Sequence, residues 1–159
     1  MRRIDNRMRH AKEVEKLEKK LEQLEREETK LHNEKEEIHG FYHQKITLYQ
    51  KMFRCLERLA SINPEEYSDS LKYVKNMLIL SLIKYGTYKK MNDQKDDRLA
   101  ISSLEEAVTL DAQNPIAHYR LGFLSYRKGN FGKAMHHFQT AIKAQPSYLD
   151  STYLLNEQQ

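Results

Sequence analysis

Between Ile4 and Ile62 the sequence contains no proline and one glycine, Gly40. A run of that length without a backbone breaker reads as helix, because strands of ordinary length would need turn residues between them. The 159-residue chain holds five glycines and three prolines against 31% charged residues. Few turns and many charges point to long solvated helices. The length suits one ordinary domain, or a smaller domain with an elongated extension, but not two full-sized cores.

A heptad runs through this segment. One set of positions holds Val14, Leu21, Glu28, Lys35, Tyr42, Tyr49 and Leu56; the other holds Leu17, Leu24, Leu31, Ile38, Lys45, Met52 and Leu59. Such a seam is of coiled-coil type. Its strongest members, Val14, Leu17, Leu21, Leu24, Leu31 and Ile38, are the expected oligomerisation residues, with a homodimer the expected assembly. Glu28 and Lys35 place charges where a tight dimer wants aliphatics, so the coil is weak there or those charges pair across an interface. Past Gly40 the stripe widens to Phe41, Tyr42, Ile46, Leu48, Tyr49, Met52, Phe53, Leu56 and Leu59, which suggests packing against a globular body. Gly40 costs about 1 kcal/mol in a helix interior and marks a bend or the start of a free arm. A hairpin broken at Gly40 is the alternative, but a lone glycine among helix formers is a poor turn. The favoured reading is one helix over residues 1–62, roughly 90 Å long.

Asn63, Pro64, Glu65 and Glu66 restart a helix, with Asn63 as cap, Pro64 at the first helical position and two acids at the positive end of the dipole. Asn114 and Pro115 repeat that grammar. The expected elements are helices over Pro64 to Met91, Asp97 to Leu110, Pro115 to Lys128 and Phe131 to Ala144, with a tight turn at Gly129 and Asn130. A short capping helix follows Pro146, carrying Tyr148, Tyr153, Leu154 and Leu155. Short connections make neighbouring helices antiparallel. The fold class is all-α: a coiled-coil-type helix over 1–62, then a short antiparallel helical array over 63–159.

Residues 115 to 148 resemble one tetratricopeptide repeat, a 34-residue helix-turn-helix. Leu121 and Gly122 fit the Leu-Gly pair of its first helix; Tyr126, Gly129, Asn130 and Phe131 fit the turn; Ala134, Phe138, Ala141 and Pro146 fit the second helix and its end. His118 stands where a Trp is usual and Ser125 where a Tyr is usual. Thirty-four residues earlier, Ala100, Leu104, Ala107 and Ala112 repeat the second helix, while Lys84, Thr87 and Tyr88 fall on the sites of His118, Leu121 and Gly122 and do not match. The resemblance implies a groove, lined by the inner helices, that holds a peptide or partner helix. By position it presents Tyr85, Lys89 and Asn92, then Ile116, Tyr119, Phe123, Tyr126 and Arg127. Tyr119 and Phe123 occupy sites where the family's carboxylate clamp would be polar, which argues against a chaperone-tail role. The bland alternative packs these aromatics on the chain's own helices.

The remaining features exclude more than they assign. No nucleophile motif, Gly-rich phosphate loop or Cys cluster occurs, so catalysis has no machinery, and no cofactor or metal is expected. His32, Glu36, His39 and His43 share a helix face but flank the seam, so no partner helix is placed to complete a metal shell. His136 and His137 read as solvated helix residues. Cys55 is the lone cysteine, excluding an internal disulfide and fitting a reducing cytoplasm. The longest apolar stretch, Met77 to Ile83, is too short for a bilayer, so no membrane contact is expected. Arg2, Arg3, Arg7, Arg9 and Lys12 against Asp5 supply the whole net charge of +4, a patch that gives only weak, salt-sensitive nucleic-acid binding. The expected function is a non-enzymatic scaffold or adaptor for a protein partner. The alternatives are a bacterial peptide-sensing regulator, for which the array is short, and a nucleic-acid-associated factor using the basic tip.

Overall fold

The computed structural model describes residues 2–33, 38–92 and 97–144. Among them lie six α-helices: α1 (Arg2–Asn33), α2 (Ile38–Ile62), α3 (Pro64–Asn92), α4 (Arg98–Leu110), α5 (Pro115–Arg127) and α6 (Phe131–Ala144). The last four bounds agree with the sequence reading to within a residue or so. The expected helix after Pro146 lies outside the described residues. The chain divides into two compact units, Met1–Ser81 and Leu82–Gln159, so the division falls within α3.

In the first unit the single arm expected over 1–62 is not formed. α1 ends at Asn33, α2 begins at Ile38, and the two helices pack on each other. They run antiparallel: Glu13 meets Arg58, Leu17 meets Cys55, and Glu28 meets Tyr49. Gly40 lies inside α2, not at a break. The physical reason is the width of the apolar stripe on α2. Ile46, Leu48, Tyr49, Met52, Cys55, Leu56 and Leu59 are all buried, which is more surface than a two-position seam covers. α1 supplies cover from within the same chain, and the first half of α3 adds Tyr67, Val74, Leu78 and Ile79 to the buried set.

Polar contacts fix how these helices meet. Glu28, the charge that interrupts the heptad, accepts a hydrogen bond from the fully buried Tyr49 hydroxyl at 3.1 Å. Burial first, and the Glu28 charge second, hold the Tyr49 phenol protonated well above its usual range. Tyr67 of α3 donates to Glu18 of α1. The Cys55 thiol donates to the Leu17 carbonyl at 3.1 Å, and burial pushes its pKa up, so it is a small packed side chain with no thiolate character. At the surface Arg58 grips Glu13 with two bonds, 2.5 and 2.8 Å. That fork fixes alignment more than it stabilises, because both partners are wet.

α3 starts as its sequence requires: Asn63 Oδ1 accepts from the Glu66 amide at 3.4 Å while Asn63 Nδ2 donates to the Glu66 carboxylate at 3.0 Å. The same device opens α5, where Asn114 Oδ1 accepts from the Ala117 amide at 3.0 Å ahead of Pro115. Among the described residues no helix is long and apolar enough to cross a membrane.

The turn between α5 and α6 shows where glycine is obligatory. Gly129 has φ of +77°. The Asn130 amide bonds back to the Ser125 carbonyl at 2.9 Å and the Gly129 amide to Tyr126 at 3.0 Å, the two crossed bonds of a Schellman helix end. Gly132, one turn later, has open space where a Cβ would stand. Opposite outcomes are therefore expected. Gly129→Ala destabilises by about 1 kcal/mol, because a side chain resists the left-handed region, whereas Gly132→Ala stabilises by about 0.5–1 kcal/mol through helix propensity. Denaturant midpoints of the two variants, moving in opposite directions from the parent, check this.

Candidate functional site

The second unit is built from two helix pairs. In the first, the end of α3 packs against α4: the buried Ser103 hydroxyl donates to the Leu82 carbonyl at 2.7 Å, and Gly86 sits under Leu104 and Ala100. In the second, α5 packs against α6, with Gly122 under Phe138. A Cβ on Gly86 would lie 2.9 Å from Leu104 Cγ and 3.1 Å from the Ala100 carbonyl oxygen; one on Gly122 would lie 2.8 Å from Phe138 Cε1. Each pair thus uses one glycine to let its helices close.

This corrects the alignment of the degenerate copy. Leu104 precedes Phe138 by 34 residues, but Gly86 precedes Gly122 by 36. The second helices are in the family register while the first is displaced by two positions. Tyr85 and Gly86, not Thr87 and Tyr88, stand in the places of Leu121 and Gly122, and Leu82 stands in that of His118. The signal was present as a second aromatic-or-aliphatic-plus-glycine pair, and the fixed 34-residue offset hid it.

The displaced register moves the inner face. The position matching Tyr119 is Ile83, which is buried, and that matching Phe123 is Thr87, which is half-buried. Thr87 accepts a hydrogen bond from the Arg120 guanidinium of α5, tying the two inner helices together. Tyr85, expected in the groove, is half-buried. The side chains of Lys89 and Asn92 lie outside the described residues.

On α5, Ile116, Tyr119, Phe123, Tyr126 and Arg127 follow one face at helical spacing. Exposure rises along it. Ile116 and Tyr119 are half-buried, the Tyr119 ring leaning on Phe138 at 5.9 Å; Phe123 is 36% exposed and Tyr126 58%. Tyr126 meets Phe131 edge-on at 5.5 Å, and Arg127 is exposed in the last turn. So the N-terminal half of the face rests partly on its own helices, while its C-terminal half presents aromatic surface and a cation to solvent.

The expected oligomerisation residues belong to the first unit. Leu24 is buried, Val14, Leu17, Leu21 and Leu31 are half-buried, and the Ile38 side chain lies outside the described residues. In the histidine stripe, His43 is exposed on α2, and the side chains of His32, Glu36 and His39 lie outside the described residues.

His118 and His137 correct another expectation. His137 is not a solvated helix residue: it is half-buried, and its Nδ1 meets Nδ1 of the buried His118 at 3.0 Å. The His118 Nε2 lies 2.8 Å from the Ala112 carbonyl oxygen. A carbonyl only accepts, so His118 Nε2 carries the proton and its Nδ1 is a bare lone pair; His137 Nδ1 must then be the donor. Burial, followed by the neighbouring His118, His136 and Lys133, lowers the His137 pKa below its usual 6.5.

Helix pairs each closed over a glycine, with α4 of the first packed on α5 of the second, are the arrangement of a helical-repeat protein. The chain carries a tetratricopeptide repeat: residues 115–148 match the tetratricopeptide repeat family model. It is also 33% identical over 84 residues, half of the chain, to a TPR repeat-containing protein of Methanocaldococcus jannaschii. The matched region spans 14% of that relative's own length.

Proposed function

We propose that this chain is a non-enzymatic scaffold that holds a protein partner against the inner helices of its second unit. The observation that carries this reading is the face of α5, where Phe123, Tyr126 and Arg127 stand exposed beyond a base made rigid by Gly122 against Phe138 and by Arg120 against Thr87. Aromatic and arginine side chains on a rigid support lose little conformational entropy on binding and commonly dominate interfaces. The family match over residues 115–148 supports a protein as the ligand class. The relative is described as repeat-containing and no more, so the partner is defined by this face alone. The reading asks nothing of α1, whose seam lies against its own chain.

The test is capture from native lysate, read by mass spectrometry, with the parent chain and a Phe123→Ala, Tyr126→Ala double variant. Melting of the variant is measured alongside, because Phe123 is only 36% exposed and Tyr126 packs on Phe131. A protein retained by the parent should bind the variant at least about 30-fold more weakly, the size of one interface hot spot. Equal retention by a folded variant removes α5 as the binding face.

A further inference from the structure

The His118–His137 contact joins α5 to α6 inside the repeat, and partner binding does not call for it. Its geometry suits a proton more than a metal. The ring centroids are 5.2 Å apart with the nitrogens at 3.0 Å, which sets the rings nearly end to end, so both lone-pair directions lie along one line. Among the described residues no group of three or more His, Cys, Asp or Glu is gathered that could hold a metal ion.

We propose that this pair is an acid-sensitive latch: with His118 neutral it clips α5 to α6, and protonation of the pair releases the clip and loosens the repeat.

The proton count follows from the hydrogen bonds. In the neutral pair His118 Nε2–H is donated to Ala112 and His137 Nδ1–H to His118 Nδ1. A first added proton has one free site, Nε2 of His137, and leaves both bonds intact. A proton delivered to His118 must take Nδ1, the acceptor of the clip. While His137 is neutral it can shift its hydrogen to Nε2 and accept at Nδ1, so one proton is tolerated; once both rings are charged each Nδ1 is a donor facing a donor, and the two rings separate.

The surroundings favour release over a stable double charge. His118 is 5% exposed, so a charge there is poorly solvated. The titratable groups acting on His137 are His118 across from it and His136 and Lys133 on its own helix, and no acid is among them. Nearest to the Ala112 end, Asp111 is engaged by the Asn114 amide at 3.2 Å. The folded repeat therefore resists protons that the unfolded chain accepts. A depressed folded-state pKa gives stability that is complete above about pH 6.5 and is lost as pH falls below it.

The experiment follows unfolding of the full chain in denaturant at pH 7.5 and 5.5, above the range where carboxylates titrate, with hydrogen exchange localising the effect to α5 and α6. A histidine that is proton-resistant when folded raises the unfolding constant of the second unit by up to about tenfold over this interval. His137→Gln, whose amide donates to neutral His118 and, flipped, accepts from charged His118, should lose that factor, and His136→Gln should keep it. An NMR titration of the histidine ring protons in the unmodified chain provides a reading independent of any variant. His137 is expected to titrate below the solvated histidines, and the α5 and α6 amides to lose protection in step. Equal acid sensitivity in parent and His137→Gln, or ring titration of His137 at the value of an exposed histidine, would overturn the latch.

Discussion

Leu104→Ala is expected to cost the second unit about 2–5 kcal/mol, the range for emptying a fully buried leucine site. Leu104 is 1% exposed and fills the space between α4 and the end of α3 that Gly86 leaves open. Its removal leaves a glycine opposite an alanine, and neither can fill the hole without the helices moving closer. The cost should fall toward the upper end, because Ala100 and Ala107, the neighbours one turn away on α4, are already small and fully buried. Hydrogen exchange should show it as lost protection in Leu82–Asn92 and α4. The first unit should hold its protection, since Tyr49, Leu56 and Leu59 form a separate buried set on α2. An unfolding free energy within about 1 kcal/mol of the parent would mean that this helix pair contributes little to the fold.

How far the sequence disclosed this arrangement depends on whether the informative signal was local. Asn63–Pro64 and Asn114–Pro115 fixed the starts of α3 and α5, because a cap and its proline act within one turn. The turn after α5 was legible for the same reason, Gly129 being the one residue type suited to its φ. The 1–62 segment misled because a heptad records which face is apolar and not whose surface covers it. Val14, Leu17 and Leu24 would read identically against a second chain or against α2. Glu28 held the discriminating hint, since a charge in a seam demands a specific partner, but naming Tyr49 as that partner required knowing that the helix turns back. The candidate face was half legible. α5 could be placed because its family register was intact, whereas the displaced register on α3 shows only in how Gly86 packs. The His118–His137 pair was hidden because position 118 was judged as a departure from a Trp site and position 137 from its neighbour in sequence, and their meeting is a property of the helix pair.

Those two glycines allow the repeat register to be tested. Gly86→Ala should destabilise the second unit by about 1–3 kcal/mol, the usual cost of forcing a methyl into a filled site, and Gly122→Ala by less. The distances alone suggest the reverse, since the Gly122 methyl would come to 2.8 Å of Phe138 and the Gly86 methyl to 2.9 Å of Leu104. What can move decides the order. Every close atom opposite Gly122 belongs to the Phe138 ring, a half-buried side chain whose torsions can give by a few tenths of an ångström without moving backbone. Opposite Gly86, Leu104 is locked by burial, and the Ala100 carbonyl at 3.1 Å is backbone within α4, so relief requires shifting a helix. Combining Gly86→Ala with Leu104→Ala should then cost less than the two single effects added together, because the second substitution removes one of the two obstacles. Strict additivity would mean that Gly86 does not face Leu104, and would return the first repeat to the 34-residue register.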